Sequence, residues 1–307
     1  MFGAQSEYRP LRRVLMHTPR ESIGLVNEKN YGRYLFATPV FRRRFIEEHE
    51  QLVRLLESEG VDVLLVEELL RDNHEASIRI RHQPNLTYIR DTITIANSGY
   101  IKMKMTSKVR GPEPEISEQA ARKLQIPCML QVSGEGRLEG GDLVYLDDET
   151  LLIGVGARSN LHGVIQLAKS ALGMCLSQIV AVPLSPWNIH LDGAFMTIDG
   201  DLALGHPESL AKPATLFEKG RRARRLRLLP WLGKRGIEFI KIDSFERFMK
   251  GTNAICLAPR KCIVYKWNDE VARSLKKHGA EVLEIEGTEL LRGGGGPHCI
   301  TAPILRT

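Results

Sequence analysis

The sequence predicts an α/β fold in which five copies of one strand–strand–helix–strand unit close into a ring. Apolar hairpins with polar turns recur along the 307-residue chain, and each precedes an amphipathic stretch and a third apolar strand. Repeats of about 50 residues are typical of propellers and solenoids. Strands at opposite ends of the chain supply the fifth unit, which favours a closed ring over the alternative, an ordinary mixed α/β domain.

Four of the hairpins are continuous in sequence. Their turns contain Asn-Ser-Gly, Asp-Asp, Asp-Gly-Asp and Pro-Arg, which are suitable hairpin connections. In the fifth unit, residues 299–306 are predicted to pair with residues 11–19. The continuous hairpins are predicted at 93–105, 143–155, 194–205 and 254–265.

A third strand is predicted after each helical stretch. Several of these helices end in glycine, at Gly60, Gly236 and Gly279, where the left-handed conformation stops a helix at little cost. No linker rich in proline, glycine or serine divides the chain, so residues 1–307 are predicted to form one domain. The third strands are predicted at 60–67, 126–132, 179–184, 236–242 and 279–286.

Composition excludes several classes of protein. With 43% hydrophobic and 26% charged residues, the chain is neither disordered nor fibrous as a whole. The net charge of +6 is too small to indicate nucleic acid by itself. No apolar run reaches the roughly 20 residues of a membrane helix, and the N-terminus lacks a signal-peptide core. Five scattered cysteines without a CxxC pair indicate reduced thiols and a cytoplasmic location.

Four glycines, Gly293 to Gly296, precede Pro297, His298 and Cys299. Glycine lets the backbone approach a ligand closely, and Cys299 opens an apolar strand where its side chain can face a cleft. Gly296 is therefore a candidate contact to a ligand. The alternative is a flexible loop beside a buried, inert thiol. A phosphate loop is excluded because no Gly-Lys-Ser/Thr follows.

His190 and Asp192 lie two residues apart at the start of a predicted strand. A period of two places both side chains on one face. A histidine beside a carboxylate keeps its proton to higher pH, which suits a general acid. The alternative is a histidine with a purely structural role.

Three further polar residues stand just before apolar strands. Glu139 precedes two glycines and Asp142, a pattern that cleft residues and turns share. Asp91 enters an apolar run and needs a cation, which its neighbour Arg90 could supply as a simple salt bridge. Asn85 follows Pro84, which favours an extended approach to the strand.

Together, Asp91, Glu139 and Asp192 would place several negative charges beside His190 and Cys299. Such a cleft favours a cationic ligand, and guanidinium is the planar cation that binds carboxylates through two hydrogen bonds. A thiolate attacking the guanidinium carbon would form a covalent adduct, and the histidine would protonate the leaving amine.

These motifs, in this order, resemble the arginine deiminase branch of the guanidine-modifying superfamily, which has the pentein, or amidinotransferase, fold. The resemblance spans nearly the whole chain. The matching blocks are LRRVLMHTP, EEHEQLVRLLESEGVDVLLVEELL, PNLTYIRD, LEGGDLVYLDDETLLIGVGARSN, HLDGAFMTID, GTNAICLAPRKCIVY and GGGGPHCITAPILR.

The resemblance implies a five-bladed propeller of ββαβ modules around a central active-site channel. It implies Cys299 as the nucleophile, His190 as the general acid and later the base, and Asp91 and Asp192 as ligands of the guanidinium. Glu139 would pair with His190 and with a substrate nitrogen. The residues that would hold the α-carboxylate and amine of the substrate are Asn85, Arg110 and Arg158.

The implied reaction is the hydrolysis of free arginine to citrulline and ammonia through a thiouronium intermediate on Cys299. The two arginines favour an amino-acid substrate over agmatine, which lacks the carboxylate. No cofactor and no metal is expected. Alternatives are hydrolysis of dimethylarginine, amidino transfer to an amine, or a non-catalytic propeller that binds a partner. Membrane and nucleic acid are not expected as partners, and a homo-oligomer is left open.

One feature departs from this family pattern, and a second is not explained by catalysis. Familiar bacterial arginine deiminases carry a helical bundle between the first module and the Pro-Asn motif. Only a short segment joins Leu70 to Pro84 here, so no bundle is expected. Six of the nine residues from Lys219 to Arg227 are basic. The spacing of Leu216, Leu226 and Leu229 allows a helix with its arginines outward, either as a solvated face or as a contact to an acidic partner.

Overall fold

A computed structural model describes all 307 residues, Met1–Thr307. Seventeen strands and nine α-helices alternate along the chain. The strands are β1 Leu11–Met16, β2 Asp62–Leu65, β3 Ile93–Ala96, β4 Gly99–Lys102, β5 Cys128–Gln131, β6 Leu143–Asp147, β7 Thr150–Val155, β8 Gln178–Pro183, β9 Phe195–Asp199, β10 Leu202–Gly205, β11 Ala214–Glu218, β12 Arg224–Leu226, β13 Glu238–Lys241, β14 Ile255–Ala258, β15 Lys261–Tyr265, β16 Glu281–Ile285 and β17 Ala302–Arg306. The helices are α1 Arg42–Ser58, α2 Val66–Leu69, α3 His74–Ile80, α4 Glu113–Lys123, α5 Leu161–Ala171, α6 Leu228–Lys234, α7 Ser244–Phe248, α8 Asp269–Lys277 and α9 Thr288–Arg292.

The strands form five sheets on one plan, and we call each sheet a blade. In every blade the first two strands pair antiparallel, and the second and third pair parallel. The chain ends supply one blade, because β17 pairs with β1 in a register that places Leu15 opposite Ala302. The predicted ring of five ββαβ units is confirmed. The blades are β17-β1-β2, β3-β4-β5, β6-β7-β8, β9-β10-β13 and β14-β15-β16.

The first strand of each blade faces the centre of the molecule. These strands are β3, β6, β9, β14 and β17, and almost all of their residues are buried. They contact neighbouring blades, as in the pairs β17–β3 and β6–β9. The third strands β2, β5 and β16 are half-exposed. The burial gradient explains why the first strands read as continuous apolar runs, since both of their faces are covered.

Helices pack on the outer strands through one apolar face. In α1, Phe45, Leu52 and Leu56 are buried and recur at the spacing of one helix face. Gly60 follows α1 at φ +79°, and Gly236 and Gly279 follow later helices at +75° and +78°. Each is in the left-handed conformation that a helix stop requires, as predicted. None of the nine helices combines the length and the apolar character needed to cross a bilayer.

The prediction of a helix over the basic segment was wrong. Residues 214–226 form a hairpin, β11 and β12, that extends the third blade through antiparallel pairing of β11 with β8. Leu216 is buried in this sheet, and Gly220 adopts φ +70° in the turn. The free edge of β8 offers backbone partners that a leucine-spacing argument does not consider, so tertiary pairing decided the conformation.

Candidate active site

Residues from all five blades meet at one end of the hub, where the first strands begin. Short 3₁₀ turns at 89–92, 140–142 and 191–193 lead into β3, β6 and β9. Asn253 stands two residues before β14, and the 293–299 loop leads towards β17. Because each turn lies at the start of a central strand, its polar side chains lie in the same pocket or directly behind it.

The pocket is a small cavity of about 60 Å³. Six of the predicted site residues line it together: Asn85, Asp91, Arg110, Arg158, His190 and Cys299. The other lining residues are Leu35, Tyr88, Ile189, Gly293, Gly294 and Gly295. Three predicted residues, Glu139, Asp192 and Gly296, lie outside this lining and contact it from behind.

His190 is held between two carboxylates. Its Nε2 lies 2.9 Å from Glu139 Oε2, and its Nδ1 lies 3.5 Å from Asp91 Oδ1. Burial alone would lower the pKa of His190, but the charge of Asp91 and the hydrogen bond to Glu139 outweigh it and raise the pKa to about 9. At neutral pH the imidazole therefore carries a proton that it can donate.

Glu139 is fully buried and makes three contacts besides its contact to His190. Glu139 Oε1 accepts a hydrogen bond from the backbone N–H of Thr106 at 2.8 Å, and Oε2 accepts one from Nη1 of Arg158 at 3.2 Å. The backbone N–H of Glu139 donates to the hydroxyl of Ser159. Burial alone would raise the pKa of Glu139, but His190 and Arg158 outweigh it and lower the pKa to about 2. Glu139 is a permanent negative charge behind the imidazole.

Asp91 is positioned by Arg110. The two side chains form a buried ion pair with Arg110 Nη1 2.5 Å from Asp91 Oδ2. Arg110 also donates to Glu113 and to the carbonyl oxygens of Asn85 and Tyr88. These contacts occupy most of its donors, so they favour a supporting role for Arg110. Its predicted contact to a substrate carboxylate stays a prediction.

Cys299 lies at the floor of the pocket. Its Sγ accepts a hydrogen bond from Asn253 Nδ2 at 3.1 Å and lies 3.3 Å from Asp192 Oδ2. Asn253 Oδ1 also accepts the N–H of Cys299 at 3.1 Å, so one amide holds both the sulfur and its backbone. Burial, followed by the charges of Asp192 and Asp91, raises the pKa of the thiol well above its ordinary value. Without a bound cation the sulfur is protonated.

A buried chain of ionisable groups stands behind the thiol. Asp192 Oδ2 lies 2.9 Å from His298 Nδ1, and His298 Nε2 lies 3.2 Å from Glu7 Oε2. Burial alone would raise the pKa of Asp192, but the hydrogen bond from His298 outweighs it and holds the pKa below its ordinary range. Asp192 therefore stays charged, and its orientation towards Cys299 is fixed by the imidazole.

The glycine pair after Glu139 makes room for the site. A Cβ on Gly141 would lie 2.7 Å from His190 Nδ1 and 2.8 Å from Asp91 Oδ1. A Cβ on Gly140 would lie 2.0 Å from the carbonyl oxygen of Arg90. Only glycine allows the turns of two blades to approach so closely, which explains the Glu-Gly-Gly-Asp pattern.

The glycine run before Cys299 has a similar role. A Cβ on Gly296 would lie 2.6 Å from Asn253 Oδ1, so Gly296 admits the amide that holds Cys299. Gly296 does not line the pocket, and its predicted contact to substrate stays a prediction. Gly295 does line the pocket, and its carbonyl oxygen accepts the hydroxyl of Tyr265 at 3.1 Å.

Replacement of Gly295 by alanine is expected to destabilise the protein by about 1–3 kcal/mol, the cost of overpacking. The new Cβ would lie 2.3 Å from Cε1 of Tyr88 and 3.3 Å from Cβ of Cys299. Turnover should fall at least about tenfold, because small displacements at a reacting centre are costly. Urea unfolding and steady-state kinetics measure both effects. Gly32→Ala, where nothing lies within 4 Å of the new Cβ, is the control; equal behaviour of the two variants would contradict the expectation.

Sequence reasoning did not assign roles to Asn253, His298, Glu7 or Tyr88. Asn253 lies in a block that resembles the family, just before a strand, as the other site residues do, and that position could have identified it. Glu7 lies 291 residues from its partner His298, and no local pattern indicates such a contact. Tyr88 forms a wall of the pocket, and its hydroxyl donates to the carbonyl oxygen of Leu290.

Asp91, Glu139 and His190 could also hold a metal ion, since each offers one ligand atom within 4.8 Å of the others. Two carboxylates and one imidazole suit a divalent cation. Arg110 and Arg158 already lie against the two carboxylates and supply positive charge there.

Comparison with known proteins agrees with this geometry. The sequence pattern described as arginine deiminase matches residues 71–306. An arginine deiminase of Mycoplasma capricolum is 25% identical over 98% of this chain and 96% of its own length. One from Bacillus cereus is 27% identical over 78% of this chain and 65% of its own length.

Solved structures show the same fold at lower identity. A DDAH mutant from Pseudomonas aeruginosa in complex with citrulline has a TM-score of 0.72 and 17% identity, and covers 96% of this chain and 99% of its own. The N-terminal domain of an ArgZ mutant, covalently bound to a reaction intermediate, has a TM-score of 0.73 and 17% identity, covering 96% of this chain and 98% of its own. Fold and family pattern agree: the chain belongs to the arginine deiminase family, as a pentein-fold hydrolase that acts on a carbon–nitrogen bond of a guanidine.

Proposed function

We propose that this protein hydrolyses free L-arginine to L-citrulline and ammonia, with residues 1–307 acting as one catalytic domain and Cys299 as the nucleophile. The observation that carries the proposal is one pocket lined by a thiol, an imidazole and Asp91, with Arg158 on its wall. Glu139 and Asp192 add charge directly behind the imidazole and the thiol.

Substrate charge activates the nucleophile in this proposal. Burial, followed by the charges of Asp192 and Asp91, raises the pKa of the Cys299 thiol in the free protein. A bound guanidinium cancels part of that negative charge, which lowers the pKa of Cys299 and favours loss of its proton to solvent. The thiolate then adds to the guanidinium carbon, where Asp91 and Asp192 stabilise the cation. A protein with the thiol but without the two carboxylates would lack this dependence of the thiol pKa on bound substrate.

His190 moves the protons in both halves of the reaction. As the tetrahedral adduct collapses, the imidazolium donates its proton to the leaving nitrogen, the carbon–nitrogen bond breaks and ammonia departs. A thiouronium remains on sulfur. The neutral imidazole takes a proton from water, and hydroxide adds to the same carbon. The carbon–sulfur bond then breaks as the hydroxyl proton passes to the departing sulfur, which releases citrulline and the Cys299 thiol. Glu139 fixes the ring through both steps.

Arg158 is proposed as the residue that binds the α-carboxylate. Its guanidinium is mostly buried, lies on the wall of the pocket and contacts only Glu139. Arg110, by contrast, uses four donor contacts within the protein. Asn85 lines the same pocket, but its side-chain amide is donated to the carbonyl oxygen of Tyr34. The backbone carbonyl oxygen of Asn85 accepts a hydrogen bond from Arg110, so Asn85 is proposed to support this wall of the pocket.

Two exposed apolar side chains, Leu35 and Ile189, stand at the mouth of the pocket. Ligand pockets usually measure about 300–1,000 Å³, and this one is about 60 Å³. We propose that arginine enters as these two exposed side chains move apart.

Arg158→Gln is expected to raise KM for arginine by at least about tenfold, the cost of one charge-assisted hydrogen bond. KM for agmatine, which lacks the carboxylate, should change little. Any loss of kcat through the contact with Glu139 should affect both substrates alike. Steady-state kinetics with the two substrates gives the ratio of the two KM values. Arg137→Gln, at an exposed arginine, is the control. An unchanged preference for arginine would assign the carboxylate to another residue.

Product analysis tests the reaction itself. The purified protein is incubated separately with arginine, with arginine plus an amine acceptor, and with dimethylarginine, and every nitrogen-containing product is identified by mass spectrometry. Citrulline with one equivalent of ammonia supports the proposal. Methylamines from methylated arginine would indicate a dimethylarginine hydrolase, ornithine with an amidinated acceptor would indicate transfer, and ornithine with two equivalents of ammonia would indicate a second hydrolysis. The Cys299→Ala protein under the same conditions excludes a contaminating activity.

A further inference from the structure

A second cavity, of about 290 Å³, lies between the end of β1, α2 and α3. It shares no lining residue with the Cys299 pocket. Its lining is almost entirely polar, with Ile80 as the one hydrophobic residue. The polar lining residues are His17, Thr18, Arg20, Glu21, Ser22, Glu67, Arg71, Ser77 and Arg81.

Two buried polar atoms of this lining have no partner within the protein. Ser22 and His17 are each 2% exposed, and Ser22 Oγ and His17 Nε2 make no hydrogen bond. Buried polar groups are almost always paired, because an unpaired one costs the full free energy of its desolvation. Ser22 and His17 both line the cavity, so a ligand bound there is a candidate partner for the two atoms.

The charge of the lining favours an anion. Both carboxylates are already paired: Glu67 with His17 at 2.7 Å and with the N–H of Thr18, and Glu21 with Arg81 at 3.2 Å. Arg71 has only a distant contact, 3.9 Å, to the exposed Asp72. Arg20 pairs with Glu50, which lies outside the lining. The lining thus holds three guanidinium groups against two carboxylates, and Arg71 is the guanidinium with the weakest contact inside the protein.

The buried polar groups and the guanidinium groups of the lining can bind the same functional group of a ligand. Glu67 accepts a hydrogen bond from Nδ1 of His17, so Nε2 of the neutral ring is an acceptor for a protonated ligand oxygen or a water. The hydroxyl of Ser22 can donate to an oxyanion, and guanidinium groups bind carboxylates and phosphates through paired N–H donors. A hydroxyl donor and several guanidinium groups in one lining are the arrangement that an oxyanion requires.

We propose that this cavity binds a small molecule through a carboxylate or phosphate group, at a site separate from the active site. Carboxylate and phosphate share the recognition chemistry, and the test distinguishes them. Inorganic phosphate and succinate are titrated separately into the full-length protein by isothermal titration calorimetry, with ionic strength held constant by potassium chloride. One saturable site for either probe is expected, and the probe with the lower Kd identifies the group.

Variants locate the binding. Arg71→Gln combined with Arg81→Gln should raise the Kd at least about tenfold, the effect of losing a charge-assisted hydrogen bond. Ser22→Ala should raise it several-fold and leaves the surface charge unchanged, which keeps the test decisive if the double variant folds poorly. Arg222→Gln combined with Arg225→Gln, in the exposed basic hairpin, is the matched control for general attraction. Binding that is unsaturable, or that only the control variant weakens, would overturn the proposal.

Discussion

Replacement of Cys299 by alanine is expected to lower kcat by at least about 10⁴-fold, since nucleophile replacement removes the covalent path and not merely one contact. The side chain lies at the floor of the pocket within hydrogen-bond reach of Asn253 and Asp192. No other cysteine lines the pocket. The variant should still bind arginine, because the carboxylates and Arg158 are unchanged. Single-turnover release of ammonia and equilibrium binding of arginine measure the two properties.

Cys128→Ser is the matched control, since Cys128 is an exposed thiol on the outer strand β5. It should keep normal turnover. The ultraviolet absorbance of the Cys299 thiolate should be absent in the free protein and appear when a guanidinium compound binds, because burial and two carboxylates raise the pKa of the thiol until a cation neutralises them. Near-normal turnover by Cys299→Ala would eliminate the covalent mechanism, and a thiolate signal independent of guanidinium would eliminate activation by substrate charge.

The five-unit ring could be predicted from the sequence because its signals are local. Each hairpin is an apolar run with a polar turn, and each glycine stop, such as Gly60, lies at the end of its own helix. The first strands are buried on both faces, so their apolar character is continuous and visible without any tertiary information. The fifth unit could be predicted for a different reason, because one unpaired strand remained at each end of the chain.

The basic hairpin could not be predicted in this way. Leucine spacing and the charge of residues 219–227 describe the segment alone, whereas its conformation depends on the unpaired edge of β8. The pairing of Thr215 with Ala181 joins residues whose sequences carry no common signal. An arginine-rich strand at the edge of a sheet is also a common device against edge-to-edge association, which the charge pattern alone does not reveal.

The residues of the candidate site also fall into a group that local sequence patterns identify and a group that they do not. Cys299, His190 and Asp91 line one pocket, each at the start of a central strand, where a pattern of residues could identify them. The groups that hold them lie across blade boundaries. Asn253 reaches Cys299 from the neighbouring blade, and Glu7 reaches His298 from the opposite chain end. Such contacts depend on how the blades are arranged around the ring, which the pattern of residues in a single sequence does not indicate.

Replacement of Glu139 by glutamine is expected to move the alkaline limb of the pH profile to lower pH. His190 has a pKa raised to about 9 by Asp91 and Glu139, so the protonated acid is present below pH 9 and is lost as the pH rises through that value. Glutamine removes one of the two charges that retain the proton. The limb of kcat/KM, which reports the free enzyme, should shift down by about one pH unit or more, and kcat at pH 7 should fall about 10²–10³-fold.

A shift in pH dependence separates this role from general damage to the site. Glutamine can still accept the N–H of Thr106, so the turn is retained, and the loss falls on the charge facing His190 and Arg158. Glu135→Gln makes the same change four residues earlier on an exposed carboxylate and should leave the profile unmoved. If Glu139→Gln lowered kcat while the limb stayed near pH 9, the proton donor would be a group other than His190, and Glu139 would act only by holding Thr106 and Arg158.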